Sequence, residues 1–105
     1  MSYIVSQQSL DNQGRINIGN LYESNPAQIV VAVEAETKRI LFFTPEQAQG
    51  WGVVQNVDNK SRIVLPKWLR EELGEDARLN LVIETAENGE IRRYAKLKTN
   101  SILSE

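Results

Sequence analysis

Ten residues of this chain, Val57 to Pro66 (VDNKSRIVLP), nearly restate an earlier ten, Leu10 to Gly19 (LDNQGRINIG). Four of the ten aligned pairs are identical and the outer pairs are both apolar or nearly so. The copies lie 47 residues apart in a chain of 105. That spacing divides the chain into two short halves, and isolated hairpins of such a size are marginal in water. The duplication therefore points to one domain over residues 1–105, in which two intertwined halves share a single core.

Each copy carries the same local instructions. Asp11-Asn12-Gln13-Gly14 and Asp58-Asn59-Lys60-Ser61 are turn sequences, in which Asp and Asn bond back to the local backbone. Arg15 to Ile18 and Arg62 to Leu65 follow as short strands, the first in polar–apolar alternation. In the second copy Pro66 opens a helix, Leu65, Leu69 and Leu73 form one apolar stripe, and Gly74 stops it. In the first copy residues 21–27 have room for one or two helical turns, limited by Asn25 and Pro26. Gln28 to Glu34 (QIVVAVE) and Arg39 to Thr44 (RILFFT) read as strands, with a helical turn over Pro45 to Gln49. Leu79 to Ile83 and Ile91 to Leu97 read as strands joined by the Asn88-Gly89 hairpin turn. Residues 1–9 form either a short edge strand or a disordered start, and residues 99–105 a short polar tail. Both halves thus read strand, turn, strand, short helix, strand, turn, strand. Val31 and Val33 correspond to Leu81 and Ile83, and Ile40 to Ile91. The expected fold is mainly β with short helices.

Composition narrows the function. With 41% apolar and 25% charged residues the chain is of ordinary globular type. No apolar run approaches the ~20 residues of a membrane helix, and MSYIVSQQSL lacks the basic and apolar regions of a secretory signal. Together with the lack of cysteine, this gives a cytoplasmic expectation without a membrane partner. Histidine is absent too, so the commonest general base and metal ligand are missing and no metal or cofactor site is expected. No acidic pair stands out as a catalytic dyad and there is no glycine-rich phosphate loop, so the chain is not expected to be an enzyme. The net charge of −2 argues against a general polyanion binder. Residues 1–50 carry three basic and five acidic side chains, and residues 51–105 nine of each, so any nucleic-acid surface must be a local patch.

Residues 58–74, DNKSRIVLPKWLREELG, resemble the AbrB/MazE/SpoVT family of swapped-hairpin DNA-binding domains. The resemblance rests on Lys60, Arg62, Ile63, Leu65, Pro66, Leu69, Arg70, Leu73 and Gly74. It extends well over 57–97 and weakly over 10–44, where Asp11, Gly14, Arg15, Ile16 and Ile18 are kept. Ser61 replaces the usual glycine, Gly19 replaces the proline, Glu75-Asp76-Ala77-Arg78 replaces the common connection after the helix, and the first copy lacks the Leu-Arg helix. The resemblance implies a swapped-hairpin β-barrel built from two ββαββ-like halves, 8–46 and 53–98. In MraZ-like proteins both copies lie in one chain, which makes a pseudo-dimer. The alternative is that 53–98 alone forms the family domain and pairs with a second chain.

What the resemblance implies for function is double-stranded DNA binding by Arg15, Lys60, Arg62, Lys67 and Arg70, in a transcriptional regulator, most simply a repressor. Two arginines related by the repeat can reach phosphates or guanine edges, with Lys60 and Lys67 adding phosphate contacts. The competing reading pairs Arg15 with Asp11 and Arg62 with Asp58, and leaves Arg70 beside Glu71 and Glu72. Arg92, Arg93, Lys96 and Lys98 read best as guards of an edge strand. Trp51 packs the junction of the halves, and Trp68 is partly buried or marks a protein contact. The alternative function is a protein-interaction or assembly module, or a homo-oligomer, that kept the barrel and lost DNA binding. An antitoxin fits less well, because only eight residues follow Leu97.

Overall fold

A computed structural model describes residues 1–24, 26–50, 52–74 and 77–97. The elements are β1 (Ser2–Ser9), β2 (Arg15–Asn17), β3 (Gln28–Glu34), β4 (Arg39–Phe43), α1 (Pro45–Ala48), β5 (Val53–Asn56), β6 (Arg62–Val64), α2 (Lys67–Leu73), β7 (Arg78–Thr85) and β8 (Ile91–Leu97). A 3-10 turn, Gly19–Leu21, lies between β2 and β3. The expectations for Trp51, Lys98, the Glu75-Asp76 connection and the tail fall outside the described residues.

Local chemistry accounts for the helix limits. Thr44 caps α1 reciprocally: its hydroxyl accepts from the Gln47 N–H at 3.4 Å, and its own N–H donates to Gln47 Oε1 at 3.0 Å. Pro66 precedes α2, and the Gly74 N–H closes the last turn onto the Arg70 carbonyl at 3.0 Å.

All strand pairs are antiparallel. Six strands form one sheet in the order β1-β7-β8-β4-β3-β5, and β2 and β6 form a separate two-stranded ribbon. Among the described residues, only the hairpins β3–β4 and β7–β8 pair within a half. Every other ladder joins the halves: β1 to β7, β5 to β3, β4 to β8 and β2 to β6. The six-strand order reads the same from either end once each strand is exchanged for its counterpart. The registers agree, with Ser6 opposite Leu81 and Val53 opposite Val31. On the ribbon the repeated isoleucines Ile16 and Ile63 face each other. The flanking bonds match as well: Ile18 N–H to the Ser61 carbonyl at 2.8 Å, Leu65 N–H to the Gly14 carbonyl at 3.0 Å.

The core lies where the ribbon meets the sheet. The ribbon copies contribute Ile16, Ile18, Ile63 and Leu65, none more than 1% exposed, against Ile29, Val31, Leu79 and Leu81 of the sheet. Each such side chain contributes roughly 1.5–3 kcal/mol through burial. These contacts explain the repeat: its apolar positions in both halves fill one common interior.

Of the two readings for the first residues the edge strand holds: Ser2–Ser9 pair with β7, with a register shift between Ile4 and Ser6. Several other expectations change. The helical turns expected over 21–27 reduce to the 3-10 turn at Gly19–Leu21. Ile40 corresponds to Arg93 rather than to Ile91. Val33 pairs with Ile40 and Ile83 with Arg93, because the second hairpin is longer. Nor is β8 an edge strand: it lies between β7 and β4, so Arg92, Arg93 and Lys96 guard no edge. Trp68 is 51% exposed on α2. The sheet is open in its ladder order, with β1 and β5 at its margins. No helix among the described residues is long and apolar enough to cross a membrane.

Candidate nucleic-acid interface

The two repeat turns build the same device twice. Asp11 Oδ1 accepts from the N–H groups of Gln13 at 2.9 Å and Arg15 at 2.8 Å, and Oδ2 accepts from Arg15 Nε at 2.6 Å. Asp58 Oδ1 accepts from the N–H groups of Lys60 at 2.9 Å and Arg62 at 2.8 Å, and Oδ2 from Arg62 Nε at 2.9 Å. One carboxylate thus closes the turn and fixes the arginine that leaves it. Both carboxyls are held below the usual value of 3.8, chiefly by the arginine backbone N–H, with partial desolvation working the other way. The pairing of each arginine with its own turn aspartate is therefore present. It engages the guanidinium through Nε, not through the Nη1/Nη2 fork that recognises phosphate or guanine.

Strand alternation decides which way the arginines point. Ile16 and Ile63 face the core, so Arg15 and Asn17 on β2, and Arg62 and Val64 on β6, occupy the other face of the ribbon. Arg15 lies opposite Val64, and Arg62 opposite Asn17. Two residues of strand rise plus one strand spacing put the two arginine Cα atoms roughly 8 Å apart. Each arginine side chain keeps about a quarter of its surface exposed.

The remaining three residues distribute unevenly. Lys60 is exposed on the second turn, where its carbonyl accepts from Asn17 Nδ2 at 3.1 Å. Lys67 is exposed at the start of α2, on the same helix face as Arg70. Arg70 does not extend from the helix into solvent. It folds over Gly14 of the first turn, with Nη1 3.5 Å from the Gln13 carbonyl, while its Nε is buried without a partner among the described residues. The structure thus gathers Arg15 and Arg70 at the first turn, with Lys67 beside Arg70 on α2, and Lys60 and Arg62 at the second.

The space over the two turns is filled differently in the two halves. Gly14 has φ of 76°, and its buried position leaves no room for a side chain beneath Arg70. Ser61, its counterpart, has φ of 65° and still carries a side chain, because no helix arginine lies over it. Gly19 is there instead, and a Cβ built on it would stand 3.2 Å from Ser61 Cβ. The Arg70 side chain at the first turn and Gly19 at the second thus occupy the space over Gly14 and Ser61 respectively.

Residue-type reasoning did not select Asn17, Val64 or the Tyr22–Arg93 pair. The first two were recoverable from alternation along the ribbon. Arg93 lies over the Tyr22 ring, 4.6 Å from its centroid, and donates from Nε to the Leu21 carbonyl at 2.6 Å. Burial pushes the Tyr22 phenol up to about 12, against the opposing charge of Arg93. No sequence signal joins Arg93 to Leu21, 72 positions away, or to its neighbour Tyr22. Arg92 Nη2 lies 3.9 Å from a Glu90 carboxylate oxygen. Comparison with protein-family models, curated proteins and solved structures finds no match to this chain.

Proposed function

We propose that the chain is a DNA-binding transcriptional regulator, most simply a repressor, and that its sheet and ribbon act as a swapped-hairpin barrel, a pseudo-dimer within one chain. The halves 8–46 and 53–98 then supply one reading surface. The observation that carries this reading is the paired Asp–Arg clamp, which presents Arg15 and Arg62 on one face of a two-stranded ribbon. A ribbon of that width enters a B-DNA major groove. The clamps limit the rotamer freedom of both arginines before DNA arrives, so less entropy is lost on binding. Lys60, Lys67 and Arg70 add positive charge at the two flanks. The interleaved ladders support the pseudo-dimer, since neither half completes its own sheet.

The test is fluorescence anisotropy on a mixed-sequence duplex through a salt series. With about four phosphate contacts, affinity falls roughly a hundredfold between about 50 and 200 mM salt. The Arg15→Ala/Arg62→Ala double variant, checked by circular dichroism for folding, loses most of that binding. Absence of wild-type binding at low salt would sink the proposal. The second reading, a protein-interaction module, then takes its place. It is favoured by the acidic balance of the whole chain and by Trp68, half exposed on α2.

A further inference from the structure

We infer that the chain reads a non-palindromic duplex site in one fixed orientation, with the Arg15–Val64 end of the ribbon meeting a guanine next to a thymine; this rests on the DNA-binding reading above. The backbone pairings of the two halves match, but the groups presented by the ribbon do not. Exchanging the strands puts Arg15 in the place of Arg62, and Asn17 in the place of Val64.

Asn17 is already engaged. Its Nδ2 donates to the Lys60 carbonyl at 3.1 Å, and its Oδ1 accepts from the Gly19 N–H at 2.8 Å. Both ends of the amide are tied to the protein, so Asn17 braces the second turn instead of reading a base edge. Val64 is 41% exposed on the outer face and has no polar group to satisfy. In a major groove the complementary surface for such a side chain is the thymine C5 methyl, beside the guanine acceptors that suit the Arg15 fork.

The flanks reinforce the difference. The first end has Arg70 folded over the turn at Gly14, with Lys67 on the same face of α2. At the second end the place over Ser61 holds Gly19, and Lys60 is the added cation. A complex turned through 180° on the same site would set Val64 against a different base and move α2 to the other flank. The two orientations therefore differ in energy.

The experiment uses the full chain and a pool of duplexes with a randomised core. Selected sequences are aligned and scored for twofold symmetry. The expected consensus is asymmetric, with a guanine–thymine step at one end only. Replacing that thymine by uracil weakens binding roughly fourfold, the order expected for one methyl group, and Val64→Ala abolishes the thymine–uracil difference while circular dichroism shows an intact fold. The chain has no cysteine, so Gln13→Cys on the exposed first turn gives a single attachment point for an iron chelate. Its cleavage falls on one side of the site centre. A palindromic consensus, or cleavage shared equally by both sides, overturns the orientation while leaving DNA binding intact. Equal affinity for thymine and uracil overturns the role of Val64. Failure of the whole pool to bind at low salt removes the DNA-binding reading and this inference together.

Discussion

Replacing Gly14 by alanine separates backbone strain from the lodging of Arg70. The backbone at φ 76° lies in the left-handed region, which costs an L-residue ~1–2 kcal/mol. A methyl built there overlaps Arg70 Cδ and stands 2.6 and 2.7 Å from its Nη1 and Nε. Arg70 is long and only partly buried, so it swings aside; the added cost is about 1 kcal/mol, near the lower end for overpacking. The total is about 2–3 kcal/mol. In an Arg70→Ala background the steric part disappears and only the backbone part of ~1–2 kcal/mol remains. Urea denaturation of the wild type, the two single variants and the double variant gives a coupling of about 1 kcal/mol. Equal cost of Gly14→Ala in both backgrounds would refute the account, because Arg70 would then not occupy the space over the turn.

Other perturbations discriminate further parts of the structure. The lowered carboxyl values of Asp11 and Asp58 mean that their turns stabilise the fold above pH 3.8, and that this contribution is lost as pH falls through the still lower folded values. Thermal melts of Asp11→Asn/Asp58→Asn should therefore show a smaller loss of Tm than wild type on acidification through that range. Tyr22→Phe removes a buried hydroxyl that has no partner among the described residues, and should raise stability by about 1 kcal/mol in urea melts. Spectrophotometric titration should show one tyrosine ionising only near 12, and wild-type stability should decline between pH 10.0 and about 12, as the unfolded phenol ionises first. Leu69→Ala, at a 3% exposed position, should cost about 2–5 kcal/mol, whereas Trp68→Ala beside it should stay within about 0.5 kcal/mol by chemical denaturation.

Element type was legible wherever a short-range rule decided it. The strand over Gln28–Glu34 follows from its β-branched run, and the second hairpin from Asn88-Gly89, where Gly89 has φ of 87° and the Glu90 N–H returns to Asn88 Oδ1 at 2.9 Å. The Asp–Arg clamp was legible as a competing pairing, because its partners lie four residues apart. The place of β8 was not. Its Arg-Arg-Tyr-Ala-Lys run is that of an exposed edge, yet Tyr94 and Ala95 are buried among strands from both halves. Ala95 faces the core, while on the opposite face Tyr94 lies under Arg39 of β4 between exposed Arg92 and Lys96, so no alternation marks the strand. Arg93 follows the same logic: its place is fixed by Tyr22, from the other half of the chain.

The sequence by itself determined that there are two copies of one strand-and-turn unit, and that each turn aspartate lies within reach of the arginine it precedes. These are local matters, set by spacing along the backbone. Only the tertiary structure decided that β1 pairs with β7 and β5 with β3, that Arg15 and Arg62 share one ribbon face, and that Arg70 crosses to the first turn instead of reaching outward from its helix. Antiparallel ladders use the same backbone groups whether partners lie within a half or across halves. The choice falls to the burial of both sheet faces, which no ten-residue window contains.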